Sequence, residues 1–199
     1  QMLAITKEHA EKRGIKNFET QVCDVCELPF EDNSFDAISC RFGYMFFPDM
    51  LKASQEIYRV LKPGGRFASA VWGPAEKNFW ITSIMGPISK NLELPPPIPG
   101  APGMFRCANA EQMKKIFETA GFKNVEVKEK SDKGEAESFE MYWQYMNDVA
   151  APVVSALSKA DEKMKNKIKK EAMEGFNKKQ SGSGPVKLDY SVLIFAAKK

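Results

Sequence analysis

The chain has 199 residues, 43% hydrophobic and 28% charged, an ordinary globular composition that excludes a disordered or collagen-like polymer and is long enough for one substantial core. Its 29 basic against 26 acidic residues leave a formal charge of +3, too small an excess to announce a nucleic-acid or anionic-membrane surface, so a small molecule is the expected partner. No apolar run reaches the roughly 20 residues that cross a bilayer, and the opening residues lack the regions of a signal peptide, which together predict a cytoplasmic protein.

Helix formers run from Met2 to Arg13 and stop at Gly14. The β-prone runs Phe18–Cys23 and Phe35–Phe42 are expected to be buried strands, the second entered through the turn residues Glu31-Asp32-Asn33-Ser34. Asp49 should cap a helix with Met50, Ser54, Ile57 and Leu61 on one face, closed by Pro63-Gly64-Gly65 and followed by a third strand over Phe67–Val71. Strands alternating with helices predict an α/β sheet with parallel crossovers.

The second half is less regular. Five of the 12 prolines fall between Pro95 and Pro102 and force an extended loop. Asn109–Ala120 reads as a helix with Met113, Ile116 and Phe117 inward, closed by Gly121, and Val125–Lys130 as a strand of period two. Helices are expected near Phe139–Ala151 and Lys159–Phe176, then a flexible turn over Ser181–Pro185 and a final strand over Lys187–Ala197. Along the lysine-rich Lys159–Lys179 stretch and just before it, Leu157, Ala160, Met164, Ile168, Ala172 and Phe176 recur at helical spacing, so its lysines read as the solvated side of an amphipathic helix.

Two local patterns suggest chemistry and are read as structural. Lys62-Pro63-Gly64-Gly65 lacks the spacing of a phosphate loop. Cys23-x-x-Cys26 has no second pair, the other cysteines are Cys40 and Cys107, and His9 is the single histidine, so no metal site is expected.

Three blocks in fixed order carry a resemblance: Asp24 with Leu28-Pro29-Phe30, then Ser34-Phe35-Asp36, then Arg59-Val60-Leu61-Lys62-Pro63-Gly64-Gly65; Ala120-Gly121-Phe122 opening a later strand also fits. The chain resembles the class I S-adenosylmethionine-dependent methyltransferases, in the branch that includes quinone-biosynthesis enzymes, over nearly its whole length. The resemblance implies a single Rossmann-like methyltransferase domain over 1–199, an open α/β sheet in the order 3-2-1-4-5-7-6, with 73–105 and 139–180 as helical cap segments on the substrate side.

It also implies roles. Ligand binds at the carboxyl ends of the strands. Asp24 would accept a hydrogen bond from the adenine amino group of S-adenosylmethionine, with the Val25 backbone on the ring, a reading favoured by the Leu28-Pro29-Phe30 block over the alternative that Asp24 merely caps its own turn. Cys40, Arg41 and Phe42 would line the methionine part, an aromatic face suiting a sulfonium cation. Tyr44, Trp72, Phe79, Trp80, Phe105, Tyr142, Trp143 and Met146 would shape the substrate pocket, each of them also a reasonable core residue, whereas Phe46 and Phe47 are expected in the core. Many relatives carry histidines after this strand, where Tyr44-Met45-Phe46 stands here, so no general base is identified.

The family's glycine-rich loop and the acidic residue that holds the ribose do not occur in this sequence, and Met2 aligns with the helix that follows them. The resemblance therefore implies further residues upstream, a rearranged assembly, or strands supplied by a partner chain. A central gap should open between the Phe18 and Phe35 strands, and this stretch alone should bind S-adenosylmethionine more weakly than the complete protein. Methyl transfer to a small molecule is the expected activity. A noncatalytic relic acting as a binding module is the alternative, and a homo-oligomer is compatible with either.

Overall fold

The computed structural model describes residues 2–179 and 185–199, so most of the turn expected at 181–185 lies outside the described residues. Four strands form one sheet in the order β1-β2-β4-β3: β1 (Phe35–Arg41), β2 (Leu61–Trp72), β3 (Lys123–Ala136) and β4 (Val186–Lys198). β1 runs parallel to β2, whereas β4 is antiparallel to both β2 and β3. This order and polarity match the 4-5-7-6 half of the expected sheet, so the α/β class and the Rossmann-like arrangement hold for the elements present.

The crossover from β1 to β2 is α2 (Met50–Val60), capped as expected by Asp49, whose side chain accepts from the Lys52 amide at 2.9 Å. The helix ends one residue earlier than the apolar spacing suggests. Leu61 is already extended and opens β2, with Pro63-Gly64-Gly65 inside the strand and Gly64 in the left-handed region at φ 78°. α4 (Ala110–Thr119) is capped by Asn109, which accepts from the Gln112 amide, and buries Met113 and Phe117. With α2 it covers the sheet face carrying Phe67, Val71, Leu193 and Phe195, forming a core in which Phe117 meets Tyr44, Phe67 and Phe195.

A second core lies beyond the carboxyl end of β2. There α3 (Phe79–Asn91), α5 (Phe139–Val149), α6 (Ala151–Leu157) and α7 (Glu162–Lys179) bury Ile81, Ile84, Ile88, Met146, Ile168 and Phe176 together. The apolar face of α7 faces inward over Ile168, Ala172 and Phe176, as its spacing predicts. α3 and α6 fall within the expected helical cap segments but received no bounds of their own from the sequence, although Ile81, Ile84 and Ile88 already show helical spacing.

One expected strand does not form. Phe18–Cys23 is irregular and exposed, with Val22 at 87% exposure. A strand is stabilised by its ladder, and among the described residues β1 pairs only with β2, leaving nothing beside Phe18–Cys23 to complete one. The helix before it, α1 (Met2–Lys12), buries only Ala10. The sheet face opposite α2 and α4 is likewise open, with Ser39, Ala68 and Ala196 in register and all exposed.

Candidate active site

The turn at Asp24 is fastened to α2 from several sides. Asp24 Oδ1 accepts from the Cys26 amide at 2.8 Å, an Asx turn, and the buried Cys26 thiol donates to the Asp49 carbonyl at 3.5 Å. Immediately downstream, the Leu28 amide donates to Glu56, while Arg59 donates to the carbonyls of Leu28 and Phe30. The turn-capping role of Asp24 is thus present, yet the residue remains exposed and only Oδ1 is engaged among the described residues. Val25 is half-buried against the sheet core.

At the carboxyl end of β1 the chain turns sharply. The Phe42 amide still donates to Ala70 at 2.8 Å, but its φ of 54° lies in the left-handed region, a costly setting for a non-glycine residue. Its ring stacks on Trp72 at 4.4 Å with planes 26° apart, and Trp72 in turn meets Trp80 at 4.7 Å. Cys40 is half-buried. Burial pushes its thiol up, while the Gly43 and Tyr44 amides oppose that shift. Arg41 is exposed.

Two expectations at the next turn exchange places. Tyr44 is fully buried, its hydroxyl donating to the Met50 carbonyl at 2.8 Å and paired with Ser54, so it belongs to the core and not to a pocket wall. Phe46, expected in the core, is 55% exposed. Residues 44–46 form a 3-10 turn with about three residues per turn, which eclipses Tyr44 with Phe47 and sends Phe46 elsewhere.

The remaining pocket candidates divide between two cavities and the helical core. A cavity of about 690 Å³ lies under the proline-rich loop, lined by Phe46, Ile81, Met85, Ile98, Phe105 and Arg106 among others. A second, of about 490 Å³, includes Trp80, Tyr142 and Met146, with the Tyr142 hydroxyl donating to the Trp80 carbonyl and pushed up to about 12 by burial. Phe79 packs on Phe176 at 4.7 Å beneath Lys179, and Trp143 stacks on Phe139, so neither lines these cavities.

Sequence reasoning also missed Asn78, which holds the approach to this region. Fully buried, it donates to the Gly73 and Pro74 carbonyls and accepts from the Trp80 indole and the Ser191 amide at 3.1 Å. A Cβ on Gly73 would come within 2.4 Å of Ser191 Oγ, so this close approach of β2 to β4 requires glycine. As for a metal centre, Cys23 is exposed while Cys26 is buried, and among the described residues no three His, Cys, Asp or Glu side chains gather to hold an ion.

Comparison with known proteins bears on this arrangement. Residues 1–69 match the family described as a methyltransferase domain. A stretch of 67 residues is 54% identical to the ubiquinone/menaquinone biosynthesis C-methyltransferase UbiE of Brucella canis, and the match spans 33% of this chain and 25% of that protein. Over that stretch the chain is similar to methyltransferases, and it spans about a quarter of the length of the curated relative it matches. Solved structures agree on the fold across the whole length. A Bacillus halodurans C-125 protein described as a methyltransferase superposes at a TM-score of 0.59, with 20% identity, over 99% of this chain and 78% of its own. Haemonchus contortus phosphoethanolamine N-methyltransferase 2, solved with S-adenosyl-L-methionine, gives 0.52 with 22% identity, over 100% of this chain and 41% of its own.

Proposed function

We propose that the protein transfers a methyl group from S-adenosylmethionine to a small-molecule acceptor. The observation that carries this reading is the match over residues 1–69, because that stretch contains the Asp24 turn and the carboxyl end of β1, where an open α/β sheet receives its ligand. The residues there suit the cofactor. Asp24 keeps a carboxylate oxygen without a partner among the described residues, suited to accept from an adenine amino group, and the Val25 backbone adjoins it. Cys40, Arg41 and Phe42 would border the methionine end, where the aromatic pair Phe42 and Trp72 suits a cation at about 0.5–2 kcal/mol.

When bound, the cofactor supplies an already activated methyl group. The chain's own task is then to orient the acceptor and exclude water. We assign 73–105 and 139–180 to a cap over a single domain, with Trp72, Trp80, Phe105, Tyr142 and Met146 on the acceptor side. A cytoplasmic setting, a small-molecule partner in place of a nucleic acid, and a monomer or homo-oligomer are parts of the same proposal. No helix among the described residues is long and apolar enough to cross a membrane. The test is incubation of full-length protein with methyl-labelled S-adenosylmethionine and a fractionated small-molecule extract. Label should enter a low-mass product; absence of transfer from every fraction would count against the reading.

A further inference from the structure

The cavity under the proline-rich loop combines apolar walls with one cation that has no carboxylate beside it in the lining. Phe46, Ile81, Met85, Ile98 and Met104 contribute rings and aliphatic chains, and Met104 packs against both cores, placing the cavity at their junction. Its volume of about 690 Å³ suits a small molecule. Arg106 is the charged residue of the lining, and no carboxylate stands beside it there. One guanidinium nitrogen, Nη1, donates to the Phe47 carbonyl; Nε is buried without a hydrogen-bond partner among the described residues.

An arginine stays charged at every physiological pH, and Arg106 has no ion pair among the described residues, so an anionic oxygen in the cavity it lines would be the counter-charge the protein does not supply. The planar guanidinium favours an anionic oxygen over a neutral one. The loop bearing it is fixed in place, with the Gly103 amide on the Met45 carbonyl at 3.1 Å and the Arg106 amide on the Gly103 carbonyl at 3.1 Å. We infer that this cavity takes the methyl acceptor, and that the acceptor is an apolar molecule carrying one anionic oxygen group, a carboxylate or a phenolate, paired with Arg106. The word acceptor rests on the methyl-transfer reading; the anion preference does not.

The test is calorimetry on full-length protein with matched probes: 4-phenylbutyrate against neutral 4-phenylbutanamide, and 4-nitrophenolate against neutral 4-nitroanisole. At least one anion should bind about tenfold or more tightly than its neutral partner, and the larger preference names the group. Arg106→Met should erase the preference while leaving the neutral probes unchanged. Equal binding of both pairs by the native protein, or a preference that survives Arg106→Met, would overturn the inference. Should that variant not fold, Met85→Trp fills the cavity from α3, and unchanged binding of the preferred anion would overturn it equally. Titration with S-adenosylmethionine runs in parallel. Cofactor binding without an anion preference sinks the cavity assignment alone, whereas an Arg106-dependent preference without cofactor binding sinks methyl transfer alone.

Discussion

Glu56 and Arg59, one turn apart on α2, grip each other through two hydrogen bonds of 2.8 Å and together hold the segment that follows the Asp24 turn. Arg59 also reaches Asp32 and the carbonyls of Leu28 and Phe30, while Glu56 receives the Leu28 amide. Two of the blocks that mark the sequence, Leu28-Pro29-Phe30 and the one beginning at Arg59, are therefore a single hydrogen-bonded unit in space.

This unit makes stability acid-sensitive. The Arg59 guanidinium, aided by the Leu28 amide, holds the Glu56 carboxyl below the usual carboxylate range. A carboxylate lowered by folding contributes stability that is present above its unfolded value, about 4.3 for glutamate, and is lost as pH falls through the lowered folded value. The thermal midpoint should therefore fall progressively below about pH 4.3. Glu56→Gln should lower the midpoint at neutral pH and flatten that acid limb. A Gln variant with an unaltered pH profile would show that the clamp contributes nothing.

Phe117 is the hub of the sheet core, with ring centroids 5.3 Å from Tyr44, 5.4 Å from Phe67 and 5.5 Å from Phe195. Phe117→Ala should cost about 3–5 kcal/mol in urea unfolding. A loss below about 1 kcal/mol, the range of an ordinary surface change, would contradict this packing.

The cysteines should differ sharply in reactivity. The attacking species is the thiolate, and burial pushes the Cys107 thiol up to about 12, whereas Cys23 is exposed. Iodoacetamide at neutral pH should label Cys23 in the native protein and leave Cys26 and Cys107 unlabelled until urea unfolds it. Peptide mass mapping gives the order, and native-state labelling of Cys107 at the rate of Cys23 would refute it.

Much of the sheet half was legible because its signals are local. Asp49 and Asn109 mark helix starts by capping chemistry, and the alternation in β4 marks a strand with one covered face. Phe18–Cys23 shows the limit of that reasoning: β propensity carries no information about whether a partner strand lies alongside. The helix α3 was obscured by Gly86 and Pro87 within it, next to a proline-rich run. At the site, Tyr44 and Phe46 differ in role because of a 3-10 turn that no periodicity announces in three residues. Arg106 could not be singled out at all, since what distinguishes it is a carbonyl 59 residues away and a neighbourhood without carboxylates.

The most direct test of the central claim is calorimetric titration of S-adenosylmethionine into full-length protein, native and Asp24→Asn. Asparagine can still accept the Cys26 amide and keep the turn, so the thermal midpoint should hold, but it places an amide donor where an adenine amino group needs an acceptor. Loss of a charged hydrogen bond of roughly 1.5–3 kcal/mol predicts about a 10- to 100-fold weaker affinity. Native affinity in a variant of native stability would contradict the adenine role of Asp24, and no binding to the native protein would contradict the account as a whole.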